Sequence, residues 1–117
     1  VGVKMETVFT KIIKKEIKAD IVYEDDDIIA FKDIYPAAPI HILFVPKKEI
    51  QNLAYATDED ILLLGKIQLT IAKVARDLGM DKDGYRVISN IGDFGGQTVQ
   101  QMHYHLLGGK KLGTKMD

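Results

Sequence analysis

His103 and His105 stand two residues apart in the segment Gly95-Gly96-Gln97-Thr98-Val99-Gln100-Gln101-Met102-His103-Tyr104-His105-Leu106-Leu107-Gly108-Gly109, and they are two of the three histidines in the chain. Met102, Tyr104 and Leu106 alternate with them, the pattern of a β-strand. Side chains at i and i+2 of a strand share a face. The two imidazoles are therefore expected side by side on a solvent-facing surface, with Gln101 beside them and Met102, Tyr104 and Leu106 packed behind. The loop leading into this strand is rich in glycine and carries Thr98, and backbone N–H groups in such a loop can cradle an anion. A neutral imidazole nitrogen is a nucleophile toward phosphorus. A second imidazole, titrating near neutral pH, can deliver a proton to a leaving amine, while polarised amides stabilise charge on the transferred group. The combination points to chemistry on a phosphate, through a histidyl intermediate that water then hydrolyses.

Each further candidate has a structural alternative beside the functional one. His41 opens a separate apolar segment, so all three histidines can converge, and three neutral imidazoles (His41, His103, His105) make a reasonable zinc site. No carboxylate lies in the local motif and the preceding loop suits an anion, which favours phosphate chemistry over metal. Asp33, at the end of a strand, is either an acceptor for ribose hydroxyls or an ordinary turn aspartate. Phe9, Ile12, Phe31 and Ile34 either sandwich a base or belong to the core. Asn90 is either a turn residue or a polar support for the site. Lys47 and Lys48 read as a solvated turn.

The elements that must position these residues follow from periodicity. Phe9, Ile12, Ile13 and Ile17 at helical spacing predict an amphipathic helix over Thr7–Ile17. Ile21–Tyr23 and Ile28–Phe31 predict a hairpin across an acidic turn. His41–Val45 reads as a strand covered on both faces and ended by Pro46. Thr57–Leu78 is the longest helix, with Thr57 as N-cap, acidic residues in its first turn and Gly79 as its stop. Its expected buried stripe is Ile61, Leu64, Gln68, Ile71, Val74 and Leu78. Tyr85–Ser89 and the histidine segment supply two more strands. Helices and strands do not alternate regularly, so a mostly antiparallel α+β sheet is expected.

Bulk properties set bounds. The 117 residues suffice for one domain, and 46% hydrophobic content favours a folded globule. A formal net charge of −1 gives no basis for nucleic-acid or membrane binding by bulk charge. With no cysteine, disulfides and thiolate metal sites are excluded. No membrane-span-length run or signal peptide is visible, so a cytoplasmic protein is expected. Val1–Lys4 read as a remnant ahead of Met5 or as a trimmed start, and residues 110–117 as a polar tail.

The ordered segments Val8-Phe9-Thr10-Lys11-Ile12-Ile13, Phe31-Lys32-Asp33-Ile34, Ala38-Pro39-Ile40-His41, Val45-Pro46-Lys47-Lys48, Gly84-Tyr85-Arg86, Asn90-Ile91-Gly92, Gly96-Gln97-Thr98-Val99 and His103-Tyr104-His105-Leu106-Leu107-Gly108-Gly109 resemble the histidine triad (HIT) hydrolases. They are most similar to the HINT-like branch of nucleoside phosphoramidases, from about Thr7 to Gly113. The resemblance implies an α+β HIT-like fold: a five-stranded antiparallel sheet with one long and one short helix. It also implies a homodimer whose sheets join, with the last strand and the long helix as contact elements. His103 matches the nucleophile and His105 the last signature histidine near the leaving group and phosphate, while His41 matches a supporting histidine. Asp33 matches the ribose-binding acid. Phe9, Ile12, Phe31 and Ile34 match the base pocket. Asn90, Gly96, Gln97, Thr98 and Val99 match the phosphate-side loop, with Thr98 where the family usually has serine. The implied activity is cleavage of the P–N bond in AMP or GMP derivatives, with no cofactor and no metal.

The chain departs from the signature at one position. The family pattern is His-φ-His-φ-His-φ-φ, φ being hydrophobic, and here the first histidine is Gln101. An amide donates and accepts hydrogen bonds but carries no titrating proton. A nucleotide-binding or scaffold protein with weak turnover is therefore the alternative to an enzyme. The tail after Gly109 lacks the Trp-Pro ending of some relatives, where that tail helps select substrates.

Overall fold

The structure, a computed structural model, describes residues 6–116; the reading of Val1–Lys4 lies outside the described residues. The elements in order are α1 (Val8–Ile13), β1 (Ile21–Glu24), β2 (Ile28–Lys32), β3 (Ile40–Pro46), two 3-10 turns (Leu53–Tyr55 and Asp58–Asp60), α2 (Ile61–Asp77), β4 (Arg86–Ile88) and β5 (Tyr104–Gly108). The strands form one five-stranded sheet in the order β1-β2-β3-β5-β4, each neighbouring pair antiparallel. This is the expected sheet with one long and one short helix.

Local chemistry sets the helix ends. The Thr7 hydroxyl accepts the Thr10 N–H at 3.2 Å, capping α1. The helix stops at Ile13, not at Ile17, because Lys15 turns to φ +63°, a left-handed conformation that a helix cannot continue through. Before α2, Thr57 and Asp60 form a reciprocal capping box around a 3-10 turn, so the α-helix proper begins at Ile61.

The two sheet faces carry different loads. On one, Ile28, Ala30, Ile42, Phe44, Met102, Tyr104 and Leu106 pack against Ile67, Ile71, Val74 and Ala75 of α2, so Met102, Tyr104 and Leu106 do lie behind the histidines. On the other face, Ile29, Phe31, Leu43 and Val45 pack against Phe9 and Ile12 of α1. The register places Ile21 opposite Phe31, Phe31 opposite Leu43 and Leu43 opposite His105. Directly paired residues share a face, so this row carries His105 onto the α1 side.

Two expectations are corrected here. The buried stripe of α2 is Ile67, Thr70, Ile71, Val74 and Ala75. Ile61 and Leu78 are 63% and 46% exposed and Gln68 is exposed too, because the helix is turned so that the row three and four residues from Ile67 faces the sheet. The last strand, β5, lies between β3 and β4; its edges are both paired, and the open edge on that side of the sheet belongs to β4. No helix among the described residues is long and apolar enough to cross a membrane.

Phe44 sits in the central strand with no exposed surface. Phe44→Ala is expected to cost about 3–5 kcal/mol of folding free energy, read as a lowered urea midpoint; a cost below about 1 kcal/mol would contradict the described core.

Candidate active site

His41, His103 and His105 converge on the α1 face. His103 lies just before β5 rather than within it, and it is only 5% exposed. The expectation of a solvent-facing histidine is therefore wrong: the Phe9 ring stands edge-on to the His103 imidazole with centroids 4.9 Å apart, and α1 covers it. His103 and His105 ring centroids are 5.1 Å apart.

Hydrogen bonds fix the protonation pattern of the three rings. His103 Nδ1 lies 2.7 Å from the carbonyl oxygen of Gln101. A carbonyl only accepts, so Nδ1 carries the hydrogen, and in the neutral ring Nε2 holds the lone pair. The Ala37 N–H donates to His41 Nδ1 at 3.0 Å, which puts the hydrogen of neutral His41 on Nε2. That Nε2 lies 2.8 Å from His105 Nδ1. His41 donates to His105, and neutral His105 then carries its own hydrogen on Nε2. One ring thus offers a nucleophilic nitrogen and its neighbour an N–H.

Burial keeps these rings neutral. Desolvation lowers the pKa of His41 and of His103 below the ordinary imidazole value, opposed at His41 by Asp33 and at His103 by the Gln101 backbone hydrogen bond and then Asp33. His105 is lowered to about 4 by desolvation and by the two neighbouring imidazoles. Asp33 Oδ2 lies 3.5 Å from His41 Nε2, and its Oδ1 accepts the Tyr35 N–H at 2.8 Å. The carboxylate is thus both a turn residue and a neighbour of the histidines.

Among the described residues, the donor atoms of Asp33, His41 and His105 lie within 4.8 Å of one another. Two imidazoles and a carboxylate can hold a zinc-like ion with open positions. The group differs from the three imidazoles weighed as the alternative to phosphate chemistry: Asp33 stands in it and His103 does not.

A cavity of about 420 Å³ opens beside His103. Its lining contains Phe9, Ile12, Phe31, Asp33, Ile34, Thr98 and Val99, so most of the residues singled out from the sequence are brought together. Val8, Ile17, Lys18, Ala19, Tyr35 and Leu43 also line it and were not foreseen. Leu43 was readable by alternation from His41. Ile17, Lys18 and Ala19 were not, because they reach the cavity only once α1 ends early.

The glycine loop differs from its expected role. Gly96 takes φ +79°, and a Cβ on Gly95 would overlap the Ile91 carbonyl oxygen, so both positions need glycine. The Gly96 N–H bonds to Asp93 O and the Gln97 N–H to Gly92 O, each at 3.0 Å, so these amides are spent inside the turn. The Gln97 side chain is buried and structural: it donates to Gln51 O and Val99 O and accepts from Asn52 and the Gly92 N–H. Asn90 Nδ2 donates to Gly95 O at 2.8 Å, bracing the same loop. What faces the cavity is Thr98 and Val99.

Gln101 is buried and turned toward α1, where its Oε1 meets the hydroxyls of Thr7 and of Thr10, the latter at 3.0 Å. Its Nε2 is buried with no partner among the described residues. Thr10 Oγ1 also approaches Glu49 Oε1 at 3.2 Å, and one hydroxyl hydrogen cannot serve both oxygens. Turning the amide by half a rotation lets its NH2 donate to both threonines and frees the Thr10 hydrogen for Glu49. In either orientation Gln101 ties α1 to the chain two residues before His103.

The HIT domain model matches residues 14–112. The chain is 47% identical over 111 residues to the purine nucleoside phosphoramidase of Escherichia coli K12, covering 95% of this chain and 93% of that protein. It is 52% identical over 107 residues to an uncharacterized HIT-like protein of Synechococcus elongatus, covering 92% and 93%. Among solved structures, a HIT family hydrolase from Clostridium thermocellum superposes with a TM-score of 0.92 at 46% identity, covering 97% of this chain and 99% of that one. A histidine triad protein from Clostridium difficile gives 0.92 at 43%, covering 98% and 100%. With the fold, the converging histidines and these relatives in agreement, the chain belongs to the HIT family.

Proposed function

We propose that the protein hydrolyses the P–N bond of purine nucleoside 5′-phosphoramidates, releasing a nucleoside monophosphate and an amine. The observation that carries this reading is the 2.7 Å contact of His103 Nδ1 with the Gln101 carbonyl, which leaves Nε2 as a free nucleophile beside a nucleotide-sized cavity. The phosphoramidase named among the relatives supports it.

The base inserts among Phe9, Ile12, Phe31 and Ile34, and Asp33 accepts hydrogen bonds from the ribose hydroxyls. The phosphate lies between Thr98 and the two histidines. His103 Nε2 attacks phosphorus as the P–N bond breaks. The substrate phosphate favours the imidazolium of His105, and His105 Nε2 gives its proton to the departing nitrogen. The proton that makes His105 an imidazolium sits on Nδ1, so the His41 Nε2 hydrogen turns from His105 to Asp33 Oδ2, which lies 3.5 Å from His41 Nε2. Water then attacks the histidyl-phosphorus bond, regenerating His103. Gln101 supports the nucleophile through its backbone, so its missing imidazole does not remove the attacking group. A binding protein with weak turnover is the second reading, favoured by the non-titrating amide at Gln101.

A homodimer completes the proposal. Ile61, Leu62 and Leu69 are 63%, 87% and 73% exposed along one side of α2, and β4 leaves an open edge. A small chain gains core area by pairing such surfaces. Sedimentation at micromolar concentration is expected to show a dimer; a monomer alone would contradict this part.

Turnover of a fluorogenic adenosine phosphoramidate tests the activity. His103→Ala is expected to lose about a thousandfold or more in kcat/KM. The pH profile has a defined sign. The buried imidazoles of the free protein are lowered from 6.5, His105 to about 4, so they stay neutral as pH falls through 6.5. The acid limb of kcat/KM, which reports loss of the neutral nucleophile His103, should therefore lie below that value. Stability should behave differently: the unfolded chain binds protons first, so stability declines as pH falls from 6.5 toward 4. Undiminished activity in His103→Ala, or an acid limb centred on 6.5, would count against the reading.

A further inference from the structure

We infer that Lys18 reads the outer edge of the bound base and makes the site select guanine over adenine. The inference rests on the nucleotide reading above and goes beyond it by naming the base.

The sheet fixes the direction in which a nucleotide must lie. From His105 the paired row runs through Leu43 and Phe31 to Ile21, three strand spacings or about 14 Å. A phosphate held by His103 and His105 sends its base along this row toward the β1 edge. There the Lys32 N–H bonds to Asp20 O at 3.0 Å, which brings the segment before β1 against the end of β2. Ile17, Lys18 and Ala19 line the cavity at that end.

The cavity is otherwise poor in groups that could read a base edge. Its walls near the base are apolar, with Phe9, Ile12, Phe31 and Leu43 buried. Of the two lysines in the lining, Lys32 lies 3.4 Å from Asp20. Lys18 makes no ion pair or hydrogen bond among the described residues. Asp33 is at the ribose position and engaged with Tyr35 and His41. Lys18 is thus the cation at the base end with its donors uncommitted.

An ammonium has three donors and no acceptor. Guanine presents two acceptors, O6 and N7, on one edge, whereas adenine presents N7 beside an amino donor. Lys18 gains two partners on guanine, and on adenine it meets one partner and one donor that repels it. Hypoxanthine shares O6 and N7 with guanine and lacks the 2-amino group, so it isolates the edge that Lys18 would touch. Because Lys18 is exposed and partly solvated, the preference is expected to be modest, about three- to tenfold.

The test is equilibrium titration of the full chain with GMP, IMP and AMP, using wild type, Lys18→Met and Lys18→Arg. Wild type is expected to bind GMP and IMP about three- to tenfold more tightly than AMP. Lys18→Met, which keeps the apolar stem, should bring the ratio close to one, and Lys18→Arg should retain it. Equal binding of all three by wild type, or a ratio that survives Lys18→Met, overturns the inference. So does tighter GMP with IMP behaving as AMP, because the 2-amino group would then be the group read. Failure of all three nucleotides to bind would overturn the nucleotide reading itself and this inference with it.

Discussion

The antiparallel pairing of β3 with β5 is the constraint on which the site depends. It sets Leu43 opposite His105 and His41 opposite Leu107, so His41 and His105 become diagonal neighbours on one face. A one-residue slip would send every one of these side chains to the other face. The α2-facing residues of the same strands (Ile42, Phe44, Leu106) are buried to within 2% of full occlusion, and that burial holds the register. The core on one side of the sheet thus supplies the precision of the chemistry on the other.

The small helix α1 does the remaining work on the site face. Phe9 meets both Phe31, at 5.6 Å, and His103, at 4.9 Å, so one ring serves as cavity wall and as cover for the nucleophile. Gln101 joins the same helix through Thr7 and Thr10, while its carbonyl orients His103. Backbone and side chain of one residue therefore lock the imidazole to the helix that covers it. Phe9 helps to exclude water from His103; desolvation lowers the pKa of all three rings, and the two neighbouring imidazoles lower His105 further.

Much of this was legible in the sequence, and the exceptions have physical causes. Alternation placed Met102, Tyr104 and Leu106 in the core correctly, because a period of two survives any choice of partner strand. It failed to show that His103 is buried, since what covers a strand face is decided by a helix nearly a hundred residues away. The stripe of α2 was misread because Ile61 and Leu78 are apolar yet exposed, and hydrophobicity alone cannot say which of two apolar sides meets the sheet. The family resemblance put Gln97 in the phosphate-side loop; the four hydrogen bonds of its side chain to Gln51, Asn52, Gly92 and Val99 exist only in the folded loop. The expected end of α1 at Ile17 missed a left-handed Lys15, a conformation lysine seldom takes, and with it the residues that line the far end of the cavity.

The central claim is that His103 Nε2 becomes covalently bonded to phosphorus. The most direct measurement is rapid acid-free quenching of the protein with a phosphoramidate substrate, followed by mass spectrometry of its peptides. The account predicts a nucleotide adduct on His103, formed and lost at the rate of turnover. Turnover without any adduct, or an adduct on His105 with His103 unmodified, would contradict it.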